Sequence, residues 1–568
     1  MSFFKKKSTR FKAFLAALPF RKKNTFTSRN AIHFHNLTQF GGAMNDNIFK
    51  FLILFFLISF KGVDDASRIL FWLGLVYVAP FLFFSSAAGV LADRFSKSRI
   101  IVTMKVTEII IIFLSFFAFA AKSEISCYAL MFLLSMQSAF FGPPKYSIIP
   151  ELVEKNRISK ANGWVTSFTY LAIILGTFLA SFVSDMLNKN YLLSINLCLV
   201  VAVFGFITSL FIPYTKPKGT KKKINTLFVR EIWRTMAGIL PRPHLFVSVI
   251  GAGFFLFVGA YIQLSIVPFA IQSLKMDEQA GGYLFLTTAL GIAVGAFLAG
   301  RIVRKRIELG IPCIAGILMG IGLICLGIFT NSLTAVIAIL VILGFFGGLF
   351  IVPFETYIQA FSPEKRIGQV VAAANFLGFL GVALAPFMIA ILNGLLNLSM
   401  AQGYVVVGVI TILSTICIAL GLSRATLHFI SRIFVLPFYR PHFSKNPLNK
   451  SDSFTILLPG RGRVLTWLMM GLSPEVELFV LKNRRSIWDF LYFFTASYHF
   501  YYYKHDPKVA MERLLSNERM RRQKGAISLI AFPFEEEETA RKLVKNASLP
   551  QKKYRLIREG KEITFSAV

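Results

Sequence analysis

The chain has 568 residues, 55% of them hydrophobic with 61 phenylalanines, a mean hydropathy of +0.63 and a formal net charge of +34. Apolar residues fall in stretches of about twenty, the length that crosses a bilayer as a helix, so an ordinary soluble enzyme is excluded and a polytopic membrane protein is expected. Nucleic acid is excluded as a partner, because the Lys and Arg surplus follows the connections between apolar stretches and lacks interleaved aromatic residues.

Residues 1–33 form a basic segment containing Lys5, Lys6, Lys7, Arg10, Lys12, Arg21, Lys22, Lys23 and Arg29. Its apolar run Phe14–Phe20 is too short for a signal peptide and is followed by Arg21–Lys23 where a cleavage site should lie. An amphipathic segment on the inner leaflet is expected instead. Six spans follow at 34–60, 68–92, 99–121, 126–149, 162–185 and 191–214, giving a first six-helix bundle over 34–214. A basic, proline-punctuated linker covers 215–244. Six further spans at 245–273, 280–303, 310–329, 331–360, 367–394 and 401–423 make a second bundle over 245–423. Residues 424–568 hold no further span and read as a cytosolic tail.

The linker is rich in Lys216, Lys218, Lys221, Lys222, Lys223, Arg230, Arg234 and Arg242, and Arg94–Arg99 and Arg301–Arg306 are basic too. The alternate connections Lys61–Arg68, Lys122–Glu124 and Asn188–Asn190 are nearly charge-balanced. That alternation predicts cytoplasmic termini and a cytoplasmic linker in a multi-pass inner-membrane protein. Cys127, Cys198, Cys313, Cys325 and Cys417 all fall in apolar stretches without metal-ligand spacing, so they read as small buried hydrophobes. No metal or cofactor is expected, and the chain has no GxxxxGK[ST] loop that would hold ATP.

The two halves echo each other. Pro144 and Pro353, Asn162 and Asn375, and Gly89 and Gly295 are separated by a near-constant offset of about 210 residues. A duplicated six-helix unit around a central cavity is predicted.

The sharpest motif is Gly89-Val-Leu-Ala-Asp93-Arg94-Phe-Ser-Lys97-Ser98-Arg99 between the second and third spans. Glycine permits close helix approach, and an aspartate beside it can receive a helix N-terminus or a basic side chain. The segment resembles the signature loop of the major facilitator superfamily. That resemblance implies the major facilitator fold and assigns Gly89, Asp93, Arg94, Lys97 and Arg99 to gating, with Asp93 acting against the start of the eleventh span near Gly368. The second-half counterpart, Gly295-Ala-Phe-Leu-Ala-Gly300-Arg301, lacks the aspartate, so an asymmetric gate is expected.

Polar residues inside spans are costly and usually face a cavity or a partner. Asn45, Asp46 and Lys50 lie in the first span, with Asp46 and Lys50 four apart on one face. Lys105 and Glu108 are spaced as a structural pair in the third. Gln137 and Lys145 lie in the fourth, Gln263 in the seventh, Glu355 and Gln359 in the tenth, and Asn375 in the eleventh. The superfamily resemblance implies a cavity lined by the first, fourth, seventh and tenth helices. Lys145 and Glu355 occupy matched positions in the repeat, so a charge pair that closes the inner side is expected of them.

Gln39-Phe-Gly-Gly-Ala-Met-Asn-Asp46-Asn47 and Phe141-Gly142-Pro143-Pro144-Lys145-Tyr146, with Ala161-Asn162-Gly163, are similar to the bacterial lysophospholipid transporters. The resemblance covers most of 34–422 and implies movement of lysophospholipid, chiefly lysophosphatidylethanolamine, across the inner membrane. The chain departs from that pattern by an extra residue or two before Asp46, and by Glu355. In some bacteria such a transporter is fused to a phospholipid acyltransferase, and the tail resembles a degenerate one, a small cytosolic α/β domain. The segment His505-Asp506-Pro507-Lys508 to Phe532-Pro533-Phe534-Glu535 resembles the stretch ending in that family's Phe-Pro-Glu-Gly element, with Phe534 intruding and the glycine missing.

Acyl transfer of that kind needs His as general base with Asp five positions later. Ile433, Pro447, Lys504 and Ala510 stand five after His428, His442, His499 and His505, and Pro459-Gly460-Arg461-Gly462-Arg463 occupies the motif's place. A transporter and not an enzyme is therefore expected, with a separate acyltransferase or acyl carrier protein as a partner besides the lysophospholipid and the bilayer. Two alternatives stay open: a proton-coupled carrier of a small metabolite or drug, working through Asp46 or Glu355, and a bifunctional transporter and acyltransferase.

Overall fold

The computed structural model describes residues 25–62, 66–217, 219–220, 228–276, 278–302, 307–422, 425–426 and 428–430, together with seven strands of the tail. The basic residues at 5–23, Lys218, Lys221–Lys223, Arg304–Arg306, Gly460–Arg463, His505–Lys508 and Pro533–Glu535 lie outside the described residues. The chain divides into two compact units, residues 1–307 with 314–415, and residues 308–313 with 416–568.

Twelve described helices are long and apolar enough to cross a membrane. They are α1 (Thr25–Lys61), α2 (Ala66–Arg94), α3 (Lys97–Ala120), α4 (Glu124–Ser147), α5 (Ile158–Met186), α6 (Tyr191–Leu210), α7 (Pro243–Gln272), α8 (Glu278–Ile302), α9 (Gly310–Ile328), α10 (Leu333–Phe361), α11 (Ile367–Ile389) and α12 (Met400–Gly421). Side-chain oxygens set several starts. Ser96, Ser123, Asn190 and Ser332 each accept a backbone N–H three residues on, which satisfies a donor the first turn leaves open. Phenylalanines such as Phe117, Phe178 and Phe387 remain exposed, as lipid-facing side chains do.

Each half repeats the same packing. The pairs α1·α5 and α2·α4 in the first half recur as α7·α11 and α8·α10 in the second. The halves meet through α2·α11 and α5·α8, which are themselves related by the repeat. An apolar cluster from Phe49 and Leu52 of α1 to Ile112 and Phe119 of α3 fills the first half, with Phe56 and Phe119 stacked at 4.2 Å. In the second half, Ser265 Oγ of α7 donates to Tyr404 of α12 at 2.9 Å, and Tyr404 packs edge-on against Tyr261 and Phe269.

The linker differs from its reading as a plain basic connection. Phe228–Ile239 is a helix with Glu231, Ile232, Met236 and Ile239 buried and Trp233 and Val229 exposed. Its apolar residues recur at helical spacing, a period that the surrounding lysines and prolines mask. Phe228 packs between Phe83 of α2 and Phe376 of α11, at 5.4 and 6.2 Å. The cysteines are free, as five unpaired thiols, but Cys325 is only partly buried and Cys417 is exposed, so "buried hydrophobe" holds for three of them.

In the second unit, Thr426 donates to Cys313 at 3.2 Å and His428 lies 4.0 Å from Glu308. The tail's strands are β1 (Arg440–Phe443), β2 (Thr455–Pro459), β3 (Val476–Lys482), β4 (Tyr498–Tyr502), β5 (Ile527–Phe532), β6 (Tyr554–Glu559) and β7 (Glu562–Ala567). They form a parallel sheet in the order β2-β5-β3-β4 and a second sheet in the order β1-β7-β6.

Candidate functional site

The polar residues of α1 divide between two jobs because neighbours on a helix point about 100° apart. Asn45 is fully buried and is not part of the cavity lining; it donates from Nδ2 to Glu108 Oε1 of α3 at 2.7 Å, and Glu108 and Lys105 themselves line the interior space. Glu108 also accepts from Lys105 Nζ at 2.6 Å, with both side chains 1% exposed. The Lys105 ammonium sits against Gly42 of α1 and Gly205 of α6, and 5.3 Å from the Phe141 ring of α4. A Cβ at Gly42 would stand 2.6 Å from Nζ, so a side chain there would displace the ammonium from its present seat. This cluster ties α3 to three neighbours. Removing one member of such a pair leaves a buried charge alone, at a cost of about 3–5 kcal/mol.

Asp46 faces the other way and accepts from Ser138 Oγ of α4 at 2.7 Å. Lys50, four residues on along the same face, does not pair with it. The Lys50 ammonium lies over the rings of Phe51 and Tyr77, at 5.1 and 5.4 Å, where cation–π attraction replaces the ion pair. Both residues line a cavity of about 390 Å³. Of the predicted cavity residues, Asp46, Lys50, Gln137, Lys145, Gln263, Glu355, Gln359 and Asn375 all reach it, and Asn45 does not. The lining is broader than the four helices expected, since Tyr77 and Phe81 of α2, Thr166 and Tyr170 of α5, Phe285 of α8 and Phe379 of α11 contribute. Phe81 and Phe379 stack at 3.7 Å across the two halves and form one apolar wall.

Lys145 and Glu355 share the cavity without forming an ion pair. Lys145 Nζ donates to Thr169 Oγ1 at 3.3 Å, and Glu355 Oε2 accepts from Thr166 Oγ1 at 3.0 Å. Both hydroxyls come from α5, which gives each charge a neutral partner.

The contacts that join the halves gather at the end carrying the linker. Asp93 is fully buried, with Oδ1 accepting from the Gly368 N–H at 2.7 Å and Oδ2 from the Gln369 N–H at 3.0 Å and Nε2 at 3.1 Å. The carboxylate thereby caps α11, whose first N–H groups have no partner in their own helix. Gly89 makes the approach possible: a Cβ there would lie 2.6 Å from Ala372 Cβ and 2.8 Å from the Gly368 carbonyl. Arg94 closes α2, Lys97 donates to Glu151 at 2.6 Å, and the Arg99 guanidinium lies 5.1 Å from the Tyr214 ring. On the opposite seam, Gly163 of α5 meets Gly300 and Ala296 of α8, where a Cβ would stand 2.6–2.8 Å from their backbone.

A sequence profile described as Major Facilitator Superfamily matches residues 37–386, and again 249–504. The chain belongs to the Major Facilitator Superfamily. Among curated superfamily members, the lysophospholipid transporter LplT of Photorhabdus laumondii subsp. laumondii is 28% identical over 353 residues, covering 60% of this chain and 82% of that protein. LplT of Enterobacter sp. strain 638 is 28% identical over 387 residues, covering 65% and 89%. Among solved superfamily structures, the human organic anion transporter MFSD10 (TETRAN) matches with a TM-score of 0.57 at 16% identity, covering 69% of this chain and 99% of that one. FucP in the outward conformation matches with a TM-score of 0.56 at 10% identity, covering 70% and 99%. At those identities the likeness concerns the superfamily fold alone.

Within this superfamily chain, several polar residues at or beside the site were not among the predicted candidates, including Asn162, Ser138, Thr166 and Thr169. Asn162 had a signal, since it recurs in the repeat opposite Asn375. Ser and Thr inside helices carry none, because their hydroxyls bond back to the same helix as readily as to a neighbour.

Proposed function

We propose that the chain is a secondary transporter that moves lysophospholipids, chiefly lysophosphatidylethanolamine, from the outer to the inner leaflet of a bacterial inner membrane by alternating access. The observation that carries this reading is the cavity's set of three carboxylates and three ammonium groups between aromatic walls: Lys105 and Glu108 pair with each other, while Asp46, Glu355, Lys50 and Lys145 face the same space. A zwitterionic phosphoethanolamine headgroup offers a phosphate to the lysines and an ammonium to the carboxylates, and its single acyl chain suits the apolar side. The lysophospholipid transporters named above, similar over some three-fifths of the chain, support the same substrate class.

In this reading 34–214 and 245–423 are the two moving bundles. The basic linker and both termini are cytoplasmic, as the distribution of Lys and Arg favours. The tail 424–568 is a cytosolic α/β domain of degenerate acyltransferase type. Its parallel sheet supports this, because parallel neighbours need crossover connections and β2 pairs with β5 so that Pro459 faces Phe532. Lacking the His and Asp pair, the tail recruits a separate acyltransferase or acyl carrier protein and does not itself acylate.

Uptake of labelled lysophosphatidylethanolamine into spheroplasts lacking their own transporter tests the reading. Expression of this chain should restore uptake without ATP. Transport of a sugar or drug by purified protein in liposomes, with no lysolipid movement, overturns it.

A further inference from the structure

The second-half loop lacks the aspartate that holds α2 to α11, yet the seam it would close is also shut. The first turn of α5 supplies the reason. Asn162 Nδ2 donates to Gln359 Oε1 of α10 at 3.0 Å, and Gln359 Nε2 donates back to Asn162 Oδ1 at 2.8 Å. Asn162 Nδ2 also reaches Thr356 Oγ1 at 3.3 Å. All three side chains are buried, at 0%, 2% and 0% exposure. A reciprocal amide pair satisfies a donor and an acceptor on both partners only in one relative placement of the helices, so it resists tilting of α5 against α10. The next residue, Gly163, packs on Gly300, which seats the same turn against α8. One turn further, Thr166 donates to Glu355, which lies one turn before Gln359 on α10 and lines the cavity. The repeat-related position shows no such pair: Asn375 merely approaches Gly142, where a Cβ would stand 3.0 Å from Nδ2.

We propose that Asn162 and Gln359 form a second, uncharged latch of the linker-side gate, coupled to the cavity through Thr166 and Glu355. The gate is then mixed in chemistry. The α2/α11 seam is held by a carboxylate on a helix N-terminus, and the α5/α10 contact by two neutral amides. A cavity ligand that engages Glu355 takes it from Thr166 and loosens the turn that carries Asn162, so occupancy and opening are linked. Asn162 is a positioning residue here, acting through the helix contact and not through the transported molecule.

The test needs no knowledge of the substrate. In full-length protein with its five cysteines replaced, a single cysteine is placed at the cavity residue Ala374 and labelled with a membrane-impermeant maleimide, in vesicles of both orientations. Asn162→Leu and Gln359→Leu should each raise labelling from the linker side about five- to thirtyfold. Asn162→Ala combined with Gln359→Ala removes both amides without adding bulk and should do the same, which covers the case in which the leucine variants fail to insert. Labelling within twofold of the parent in the variants that reach the membrane at parental levels overturns the latch, whatever the protein transports.

Discussion

Replacing Asp93 by alanine removes the one side chain that caps α11 from the other half of the molecule. Three hydrogen bonds are lost together, at 2.7, 3.0 and 3.1 Å, two of them from backbone N–H groups in the first turn of α11. A bond to an ionised acceptor is worth about 1.5–3 kcal/mol, and loss of an N-cap side chain costs about 0.5–2 kcal/mol. The three share one carboxylate and do not add, so a total of about 3 kcal/mol is reasonable, which shifts a two-state equilibrium about 150-fold away from the linker-closed state. Asp93→Asn keeps one acceptor oxygen but points an amino group at an N–H donor, so it should lose about half of that free energy. Asp93→Glu should not rescue, because the hydrogen bonds at 2.7 and 3.0 Å fix the carboxylate at its present reach and an added methylene would carry it past the Gly368 and Gln369 N–H groups. Linker-side labelling of the Ala374→Cys reporter measures the shift, and the order should be alanine above asparagine above wild type. If Asp93→Ala labels at the wild-type rate, the cap does not hold the gate and the argument from its geometry fails.

Three further outcomes are expected. Asp46→Asn and Asp46→Ala should abolish lysolipid uptake while leaving expression and insertion unchanged, because the carboxylate faces the cavity with Ser138 as its neutral partner; wild-type uptake would assign Asp46 to packing. Glu108→Gln or Lys105→Met should lower stability in thermal unfolding by about 3–5 kcal/mol, since each leaves a buried partner alone, whereas Lys105→Met with Glu108→Leu should recover most of it; equal losses in singles and double would show that the ion pair is not the stabilising unit. Purified full-length protein should not transfer acyl groups from acyl-CoA or acyl carrier protein to lysolipid, and measurable transfer would show that the tail has a base other than the absent His and Asp pair.

Much of the site was legible in residue type and spacing, and the failures have a common cause. A carboxylate, ammonium or amide in mid-span announces itself because burying it without purpose is costly, which is why Asp46, Gln263 and Asn375 could be placed in a cavity from one dimension. Which partner each would take was not legible. Asp46 and Lys50 share one face of α1, yet each meets a side chain of another helix, Ser138 on α4 and Tyr77 on α2, and those neighbours depend on how helices 30 to 90 residues apart come together. Matched depth suggested Lys145 with Glu355, and each instead bonds a threonine of α5. The linker helix was obscured because its period is short and its flanks are basic.

The sequence by itself determined the number of spans, the two-fold repeat and the position of the loop that carries Asp93. These follow from hydropathy, bilayer thickness and chain order, which need no knowledge of contacts. Only the tertiary structure decided that Asn45 serves the Lys105–Glu108 cluster while Asp46, one residue on, serves the cavity. It alone brought Asn162 onto Gln359, 197 residues away. Hydrogen bonds are short and directional, so their pairing is set by the angle and depth at which helices cross, and that is a property of the packed assembly that no single helix carries.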